Sequence, residues 1–432
     1  MTDKRYPRTL VATVLLILAA VSLARAGEEV IDKSNWKEAE GLIPASALEW
    51  VKNGEFTMKL GALEFDPAKT QTPWALESMS ENVGRFGLNE KNEIIEPATG
   101  KQPRFIKGFP FPGADASDPK AAIKVMYNGY YARNNNGPLR NIMTLRFVNR
   151  GGHERDIIAR WFSTPLDGWG PAAGIDNPDD IETYSQIVID APYDIAGTAM
   201  MDWRYRSAKQ SLLLAYVPAI RRVRRMSPAN RSDAMFGSDF SRDDGGYVGY
   251  DGKIVDFDWK LLGTRQVLAA FLAEDPLRCV RNAHGEWMPD TKGRKLVTYV
   301  YEDSQWKSAP WHVASAVWVK RPVWVIEGKS LDPYYNYGRQ VIYVDREVNT
   351  SYWKEIYDRG NVYWKTYWSS WYYLQSEDKA MSFNVIAIAS VLDERNQHAT
   401  HIDAVGEDFH FFCGAKIDMQ QYSLAGFQKL CK

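Results

Sequence analysis

The pattern of apolar and polar positions changes its period near residue 141. From there on, apolar residues mostly alternate with polar ones, which is typical of β-strands. Short turns rich in Gly, Asn and Asp, such as 149–152 and 358–361, separate the strands. The predicted strands are 141–149, 156–163, 182–190, 197–207, 211–217, 220–226, 295–301, 312–320, 323–327, 340–345, 352–357, 362–374 and 383–391. Many strands joined by tight turns predict a large antiparallel sheet rather than βαβ units.

The part of the chain before residue 141 has a different pattern. Residues 34–53 show helical spacing with a break at Pro44, and Asp118-Pro119 is a favourable helix start before an aromatic stripe. Between them, one short strand is predicted at 56–65, and 66–113 is rich in Pro, Gly and polar residues. We therefore predict an N-terminal helical and irregular segment, 27–117, that packs on a β domain, 118–432. This domain ends in a helix over 418–430.

Several predicted strands are apolar on both faces. In 312–320, Val317 and Val319 lie on one face while Ala316 and Trp318 lie on the other. An antiparallel sheet of this kind needs cover on both sides. Helices would cover one side, and the other needs a second sheet wall or a curved sheet over an apolar cavity. The aromatic spacing in 362–374 also fits a helix, but the β-forming residues and the preceding turn favour a strand. The predicted class is mainly β (α+β), with a large curved antiparallel sheet.

The first residues have the order of a secretory signal peptide. Basic residues precede an apolar run at 10–23, and Ala24-Arg25-Ala26 supplies small residues at a cleavage position. The run is shorter than the ~20 residues of a membrane span, although an uncleaved anchor remains the alternative. Cleavage after residue 26 leaves 406 of the 432 residues. The mature protein would then be periplasmic, without access to ATP or NADH.

Charge and motifs exclude several classes of function. The chain has net charge −1, and the leader has net charge +3 from Lys4, Arg5, Arg8 and Arg25 against Asp3, which leaves the mature protein at −4. A nucleic-acid binder would need a basic field, so none is expected as a partner. No nucleotide-binding, zinc-protease or serine-hydrolase fingerprint is present, and we expect no cofactor and no catalytic residue.

Three cysteines allow one disulfide in an oxidising compartment. Cys413 and Cys431 both lie near the C-terminus, and a bridge between them would fix the last helix. Unpaired, buried thiols are the equal alternative.

A cluster of histidines and carboxylates is the strongest candidate for chemistry. His398, His401 and Asp403 are followed by Asp408 and His410. These side chains could bind zinc or form an acid–base pair, which would suit a secreted hydrolase. The spacing is not a known signature, and a solvated loop with scattered polar groups is the favoured alternative.

Four arginines occupy five positions between Ile220 and Met226. On a strand, Arg222 and Arg224 share one face, and Arg221 and Arg225 share the other. Such a strand could hold a phosphate or carboxylate headgroup at the rim of an apolar cavity. The alternative is ion pairing with the acidic residues that follow, which are Asp233, Asp239, Asp243 and Asp244.

Aromatic residues are abundant, with 16 Trp, 23 Tyr and 17 Phe. Their density suggests that some rings face a cavity, as a lipid-pocket lining or a stacking platform, although core packing is the favoured reading for any single ring. The predicted ligand-binding aromatics are Trp318, Trp324, Trp364 and Trp368.

Several motifs taken together resemble a known family. These motifs are 218–226, 236–241 with Asp243-Asp244, 259–263, 321–327, 339–345 and Asn53-Gly54-Glu55. They resemble a large secreted family of unknown function related to the LolA/LolB-type carriers of outer-membrane lipoprotein sorting. The match covers nearly all of the mature chain, which is about double the size of the small carriers.

The resemblance implies a half-barrel sheet with helices on its concave side and a cavity for acyl chains or other apolar ligands. It also implies an inner-membrane exporter of the resistance-nodulation-division type as a partner. We therefore predict a periplasmic carrier or chaperone for a lipid or other hydrophobic molecule. An adaptor of a membrane exporter, or a secreted hydrolase, is the alternative.

Overall fold

A computed structural model describes residues 29–291, 296–405, 411–414, 416 and 418–431. The predicted leader and the predicted site residues Asp408 and His410 lie outside these described residues. The α-helices are α1 (Ala45–Lys52), α2 (Pro73–Glu81), α3 (Ala121–Asn134) and α4 (Leu424–Leu430). A short 3-10 turn, Trp36–Ala39, precedes α1, and Pro44 separates the two, as the sequence predicts.

The strands cover most of the chain after α3. They are β1 (Val30–Ile31), β2 (Met58–Leu60), β3 (Gly87–Leu88), β4 (Ile94–Ile95), β5 (Leu139–Asn149), β6 (Gly152–Pro165), β7 (Ile181–Ala191), β8 (Ala199–Tyr205), β9 (Leu212–Val217), β10 (Arg222–Arg225), β11 (Phe257–Phe271), β12 (Leu277–Arg281), β13 (Trp287–Pro289), β14 (Val317–Ser330), β15 (Tyr337–Asp345), β16 (Ser351–Asp358), β17 (Tyr363–Ser376), β18 (Ser382–Asp393), β19 (His398–Asp403) and β20 (Phe411–Cys413). The predicted class, mainly β with a curved antiparallel sheet, is confirmed.

Eighteen of the described strands form one sheet, and β3 pairs only with β4. Antiparallel pairing runs in the order β10–β9–β8–β7–β6–β5–β19–β18–β17–β16–β15–β14–β11. Most neighbours in this order are joined by hairpins, as the short turns predict. The segment 362–374 is part of β17, so the strand interpretation of its aromatic residues is confirmed.

The sheet curls until two of its strands meet. The end of β11 pairs in parallel with β17, at Ala270 with Ser370 and Phe271 with Trp371. A bulge between Ser370 and Trp371 bends β17 at this point. The strands β11 and β14–β17 thereby form a closed ring, which we call the barrel. The predicted N-terminal segment joins the same sheet, because β2 pairs with β14. Its separation from the β domain stays a prediction.

Several elements differ from the sequence prediction. Strand β11 was not predicted, because its middle is polar and half-exposed. Strand β14 is continuous, although the prediction broke it at Pro322. The carbonyl of Pro322 accepts from the backbone N of Arg346, where the β15 ladder ends, so the missing N–H of Pro322 interrupts no ladder. The predicted strand 295–301 contains a 3-10 turn, Val300–Glu302, within its described part.

The four predicted ligand-binding tryptophans belong to the barrel and its surroundings. Trp318 stacks on Trp353 at 5.5 Å and contacts Trp368, with both predicted rings 2% exposed. Trp324 is also buried, and Arg346 covers its ring. Trp364 is half-buried and donates to the Asp393 carboxylate. None of these four rings lines the cavity described below. These rings stabilise the core, because packing a large aromatic side chain removes a large apolar area from water.

The strands of the sheet outside the barrel, β5–β10 with β18 and β19, are covered by different elements on their two faces. Helix α3 lies on the concave side, with 13 of its 14 residues buried, together with an irregular segment, residues 226–251, that we call the plug. On the convex side, Tyr422 and Phe427 next to and within α4 pack against β7–β9.

In the described part of the chain, no helix combines the length and the apolar character needed to cross a membrane.

The predicted disulfide is absent from the structure. Cys413 on β20 lies in the main core, whereas Cys431 packs with Tyr422 and Phe427 on the convex side. Both are free, buried thiols. Burial raises the pKa of each thiol, which favours the protonated, unreactive form.

Candidate functional site

A cavity lies between the concave side of the sheet and the plug. Strands β5–β9 and β17–β19 provide its wall, and the plug covers it with Met235, Phe240 and the turn at Gly245-Gly246. The strand register explains which side chains face it. Ile187 on β7 pairs with Trp161 on β6 and with Met200 on β8, so these three side chains form one row across the concave face.

Methionines are a recurring part of the apolar lining. Met143 and Met200 from the wall and Met235 from the plug face the cavity, and Met226 packs against the same cluster. Unbranched thioether side chains fill irregular space and adapt to different shapes, which is why they are frequent at binding surfaces with varied ligands. The cavity can therefore adjust to an apolar occupant without a rearrangement of the wall.

The cavity is small in this structure. Its volume of about 130 Å³ is close to the ~150 Å³ of an apolar cavity that holds a benzene molecule. One ring or a short alkyl segment fits without any movement. A longer chain needs displacement of the plug, whose Met235 and Phe236 are half-buried.

The concave face becomes polar along β7 and β8. The row after Ile187 and Met200 contains Ser185 and Asp202, and the next contains Thr183 and Arg204. Ion pairs join the wall, α3 and the plug here. These pairs are Arg204–Glu182, Arg231–Asp202, Arg231–Asp243, Arg133–Asp251, Arg242–Asp251 and Arg242–Asp202. Burial alone would raise the pKa of Asp251, but Arg133 and its neighbouring arginines hold it well below its ordinary value. The cluster anchors the plug to the wall.

The arginine strand lies at the edge of the same face. Arg224 pairs with Ala215 and Arg222 with Val217 on β9, and both partners share the face of Leu213, which lines the cavity. Both arginines are exposed, and neither forms an ion pair with a described residue. Val223 points to the convex side, where it contacts the α4 cluster. The predicted alternation of faces is thus present, with Arg222 and Arg224 beside the cavity rather than inside it.

The acidic residues after the arginine strand pair with more distant charges. Asp243 binds Arg231, and Asp244 binds Lys354 at 2.6 Å. Asp233 accepts hydrogen bonds from asparagine side chains. The alternative from the sequence, in which these carboxylates pair with the arginine strand, is therefore wrong for Asp243 and Asp244, because the plug carries them across the concave face to other partners.

The histidine cluster lies on a strand instead of the solvated loop favoured from sequence. Because His398 and His401 are three residues apart on β19, they point to opposite faces of the sheet. His398 lies between Asp239 of the plug and Glu154, at 2.5 and 2.9 Å, and the hydrogen bond to Asp239 raises its pKa to about 8. His401 is fully buried, and burial lowers its pKa to about 3. Among the described members of the cluster, His398 and His401 therefore do not come together at one site, and no metal-binding group of His, Cys, Asp or Glu occurs within the described residues. Asp408 and His410 lie outside these residues.

This arrangement of side chains is suited to binding an apolar molecule. An apolar, adaptable wall provides non-directional attraction, the ionic cluster closes one end, and two free guanidinium groups stand at the edge. Sequence reasoning missed the methionines and the ionic cluster, because their members lie far apart in the chain, up to 118 residues for Arg133 and Asp251. The motif residues 236–244 were found, and they prove to be part of the plug.

Solved structures with a similar fold are known at low identity. A domain of an outer-membrane lipoprotein-sorting protein from Vibrio parahaemolyticus is 14% identical, with a TM-score of 0.47 over 72% of this chain and 100% of that one. A DUF1329 family protein from Desulfovibrio piger is 15% identical, with a TM-score of 0.46 and the same coverage. A LolA superfamily protein from Nitrosomonas europaea is 10% identical, with a TM-score of 0.40, over 70% of this chain and 98% of that one.

No protein of curated function matches the chain significantly. A family model does match, over residues 30–421, which is nearly all of the described part. The resemblance deduced from the motifs is thereby confirmed at the level of the family. The chain belongs to the family described as "Protein of unknown function (DUF1329)".

Proposed function

We propose that this protein is a carrier or chaperone that binds a hydrophobic molecule between the wall and the plug. The methionine-lined cavity is the observation that carries this proposal. Burial of the ligand would supply the binding energy, at ~0.8 kcal/mol for each methylene group removed from water. The ligand would enter by displacing Met235 and Phe236 of the plug, while the ionic cluster keeps the plug attached at the other end of the cavity.

The secretory leader predicted at residues 1–26 would place this carrier in the periplasm. There, an extracted lipid would need protection from water during transport between membranes. The exporter of the resistance-nodulation-division type implied by the resemblance stays a predicted partner.

Filling the cavity tests the proposed binding site. In Met200→Trp, the larger ring occupies the space beside Ile187 and Trp161, and we expect the affinity for decanoate to fall at least tenfold. Isothermal titration calorimetry measures this affinity. Ile158→Trp adds the same ring on the exposed convex side of β6 and should bind as the wild type does. Equal binding by both variants would place the ligand elsewhere, and no binding by the wild type would contradict the proposal.

Arg222 and Arg224 are proposed to hold an anionic headgroup at the cavity edge. We expect the double variant Arg222→Gln/Arg224→Gln to bind decanoate about tenfold more weakly, the equivalent of one charge-assisted hydrogen bond. Its affinity for uncharged decanol should not change, because the alkyl chain contacts the wall. The edge strand is exposed, so its thermal unfolding should match the wild type. An equal loss of affinity for decanol and decanoate would refute the headgroup role.

A further inference from the structure

Five buried side chains that line the cavity keep a polar atom without a hydrogen-bond partner among the described residues. Two of these atoms are the hydroxyl oxygens of Ser241 and Tyr367. The other three are Nε of Arg133, Oδ1 of Asn141 and Oδ1 of Asp202, in residues that are 5%, 2% and 6% exposed. Buried polar atoms almost always form hydrogen bonds, because leaving one unpaired costs its full desolvation energy. An unpaired set of this kind at a cavity wall therefore indicates an occupant with matching groups.

The three atoms belong to the polar end of the cavity. Asn141 on β5 pairs with Trp161, in the row that also contains Ile187 and Met200. Asp202 lies one row further along β8. Arg133 on α3 is connected to Asp202 by three successive ion pairs, Arg133–Asp251, Asp251–Arg242 and Arg242–Asp202. The free atoms thus lie where the methionine-lined space meets the ionic cluster.

The charges at this end are already balanced. Four arginines (Arg133, Arg204, Arg231 and Arg242) pair with four carboxylates (Glu182, Asp202, Asp243 and Asp251). A charged ligand group would break this balance among buried side chains, where a charge without a counter-charge is costly. At this end, Arg133 offers one N–H donor, and Asn141 and Asp202 offer two oxygen acceptors. A hydroxyl group can both accept and donate.

We infer that the polar end is a subsite for a neutral hydroxyl group on an otherwise apolar ligand. The hydroxyl oxygen accepts from Nε of Arg133, and its proton is donated to Asn141 or Asp202. This inference rests on the proposed function, because the ligand body occupies the same cavity. It narrows the cargo to amphiphiles that carry an alcohol or phenol group at the inserted end.

Phenol and toluene test the subsite, because they have nearly the same size and differ by a hydroxyl in place of a methyl group. A ring of this size suits a cavity of about 130 Å³. We expect the wild type to bind phenol at least as tightly as toluene. In Asn141→Leu, the ratio of the phenol affinity to the toluene affinity should fall about tenfold, the equivalent of one lost hydrogen bond. The melting temperature should not fall, because the removed oxygen has no partner.

Ile142→Leu is the matched control, because Ile142 is the next residue on β5, is exposed and lies on the opposite face of the strand. Its affinity ratio should equal that of the wild type. The same ratio in all three proteins would mean that water alone occupies the polar end, and would overturn the subsite while leaving the cavity as a binding site. If neither ligand binds the wild type, the proposed carrier function fails together with the subsite.

Discussion

Asp244→Asn is expected to lower the free energy of unfolding by about 3–5 kcal/mol, because it leaves a buried ammonium without its counter-charge. Asp244 of the plug and Lys354 of β16 have fully buried side chains and are 2.6 Å apart. Tyr337 also donates to the carboxylate, at 2.6 Å. Burial would raise the pKa of Asp244, but Lys354 and Lys365 more than offset this and lower it. The loss would be a large share of the ~5–15 kcal/mol of a typical domain.

Urea unfolding followed by circular dichroism measures this loss. The double variant Asp244→Asn/Lys354→Met should lose less stability than the sum of the two single variants, because it removes both charges together. Glu49→Gln is the matched control. It breaks the exposed pair with Lys52, which should contribute less than ~1 kcal/mol. A loss below 1 kcal/mol in Asp244→Asn would show that the pair does not anchor the plug.

Acid is expected to destabilise the protein through its two fully buried histidines. Burial lowers the pKa of His312 and of His401 to about 3, whereas the unfolded chain has an ordinary value of ~6.5. Both rings are therefore neutral in the folded state. As the pH falls below ~6.5, these histidines take up protons in the unfolded chain but not in the folded one. The free energy of unfolding is therefore unaffected above pH ~6.5 and decreases as the pH falls towards about 3, by ~1.36 kcal/mol per pH unit for each histidine. Between pH 6.5 and 4.5, the two together should cost ~5 kcal/mol.

His401→Leu isolates half of this effect. Neither ring nitrogen of His401 has a hydrogen-bond partner among the described residues, so an apolar side chain of similar size should stabilise the protein at every pH. The variant should lose ~1.36 kcal/mol less than the wild type for each pH unit between 6.5 and 4.5. His284→Gln, at an exposed histidine, is the control and should follow the wild type. Parallel curves for His401→Leu and the wild type would show that His401 does not titrate on unfolding.

The sheet could be predicted from local patterns, because alternation and turn residues act over a few positions. This holds for the hairpins from β5 to β9, for β17, and for the two faces of the arginine strand. Strand β19 was not predicted, because His398, His401 and Asp403 resemble a loop in composition. Their burial depends on β5 and β18, which lie beside β19 only in the fold.

The binding site was less accessible to sequence reasoning. A cavity near the arginine strand could be predicted, but its lining could not, because Met143, Met200 and Met235 come from three separate elements. The four predicted tryptophans lie outside the lining of this cavity, and sequence alone could not show this, because a dry core and a ligand pocket need the same residue types. Pairing of the plug carboxylates with the nearest arginines was an open alternative, whereas the path of the plug brings them to Arg231 and Lys354.

Native mass spectrometry with extraction of bound lipids, on protein purified from its own cells, tests the carrier proposal most directly. We predict a co-purifying hydrophobic molecule in the wild type, lost or strongly depleted in Met200→Trp and retained in Ile158→Trp. A clean apo mass for the wild type, with no uptake from an added mixture of lipids, fatty acids and long-chain alcohols, would contradict it.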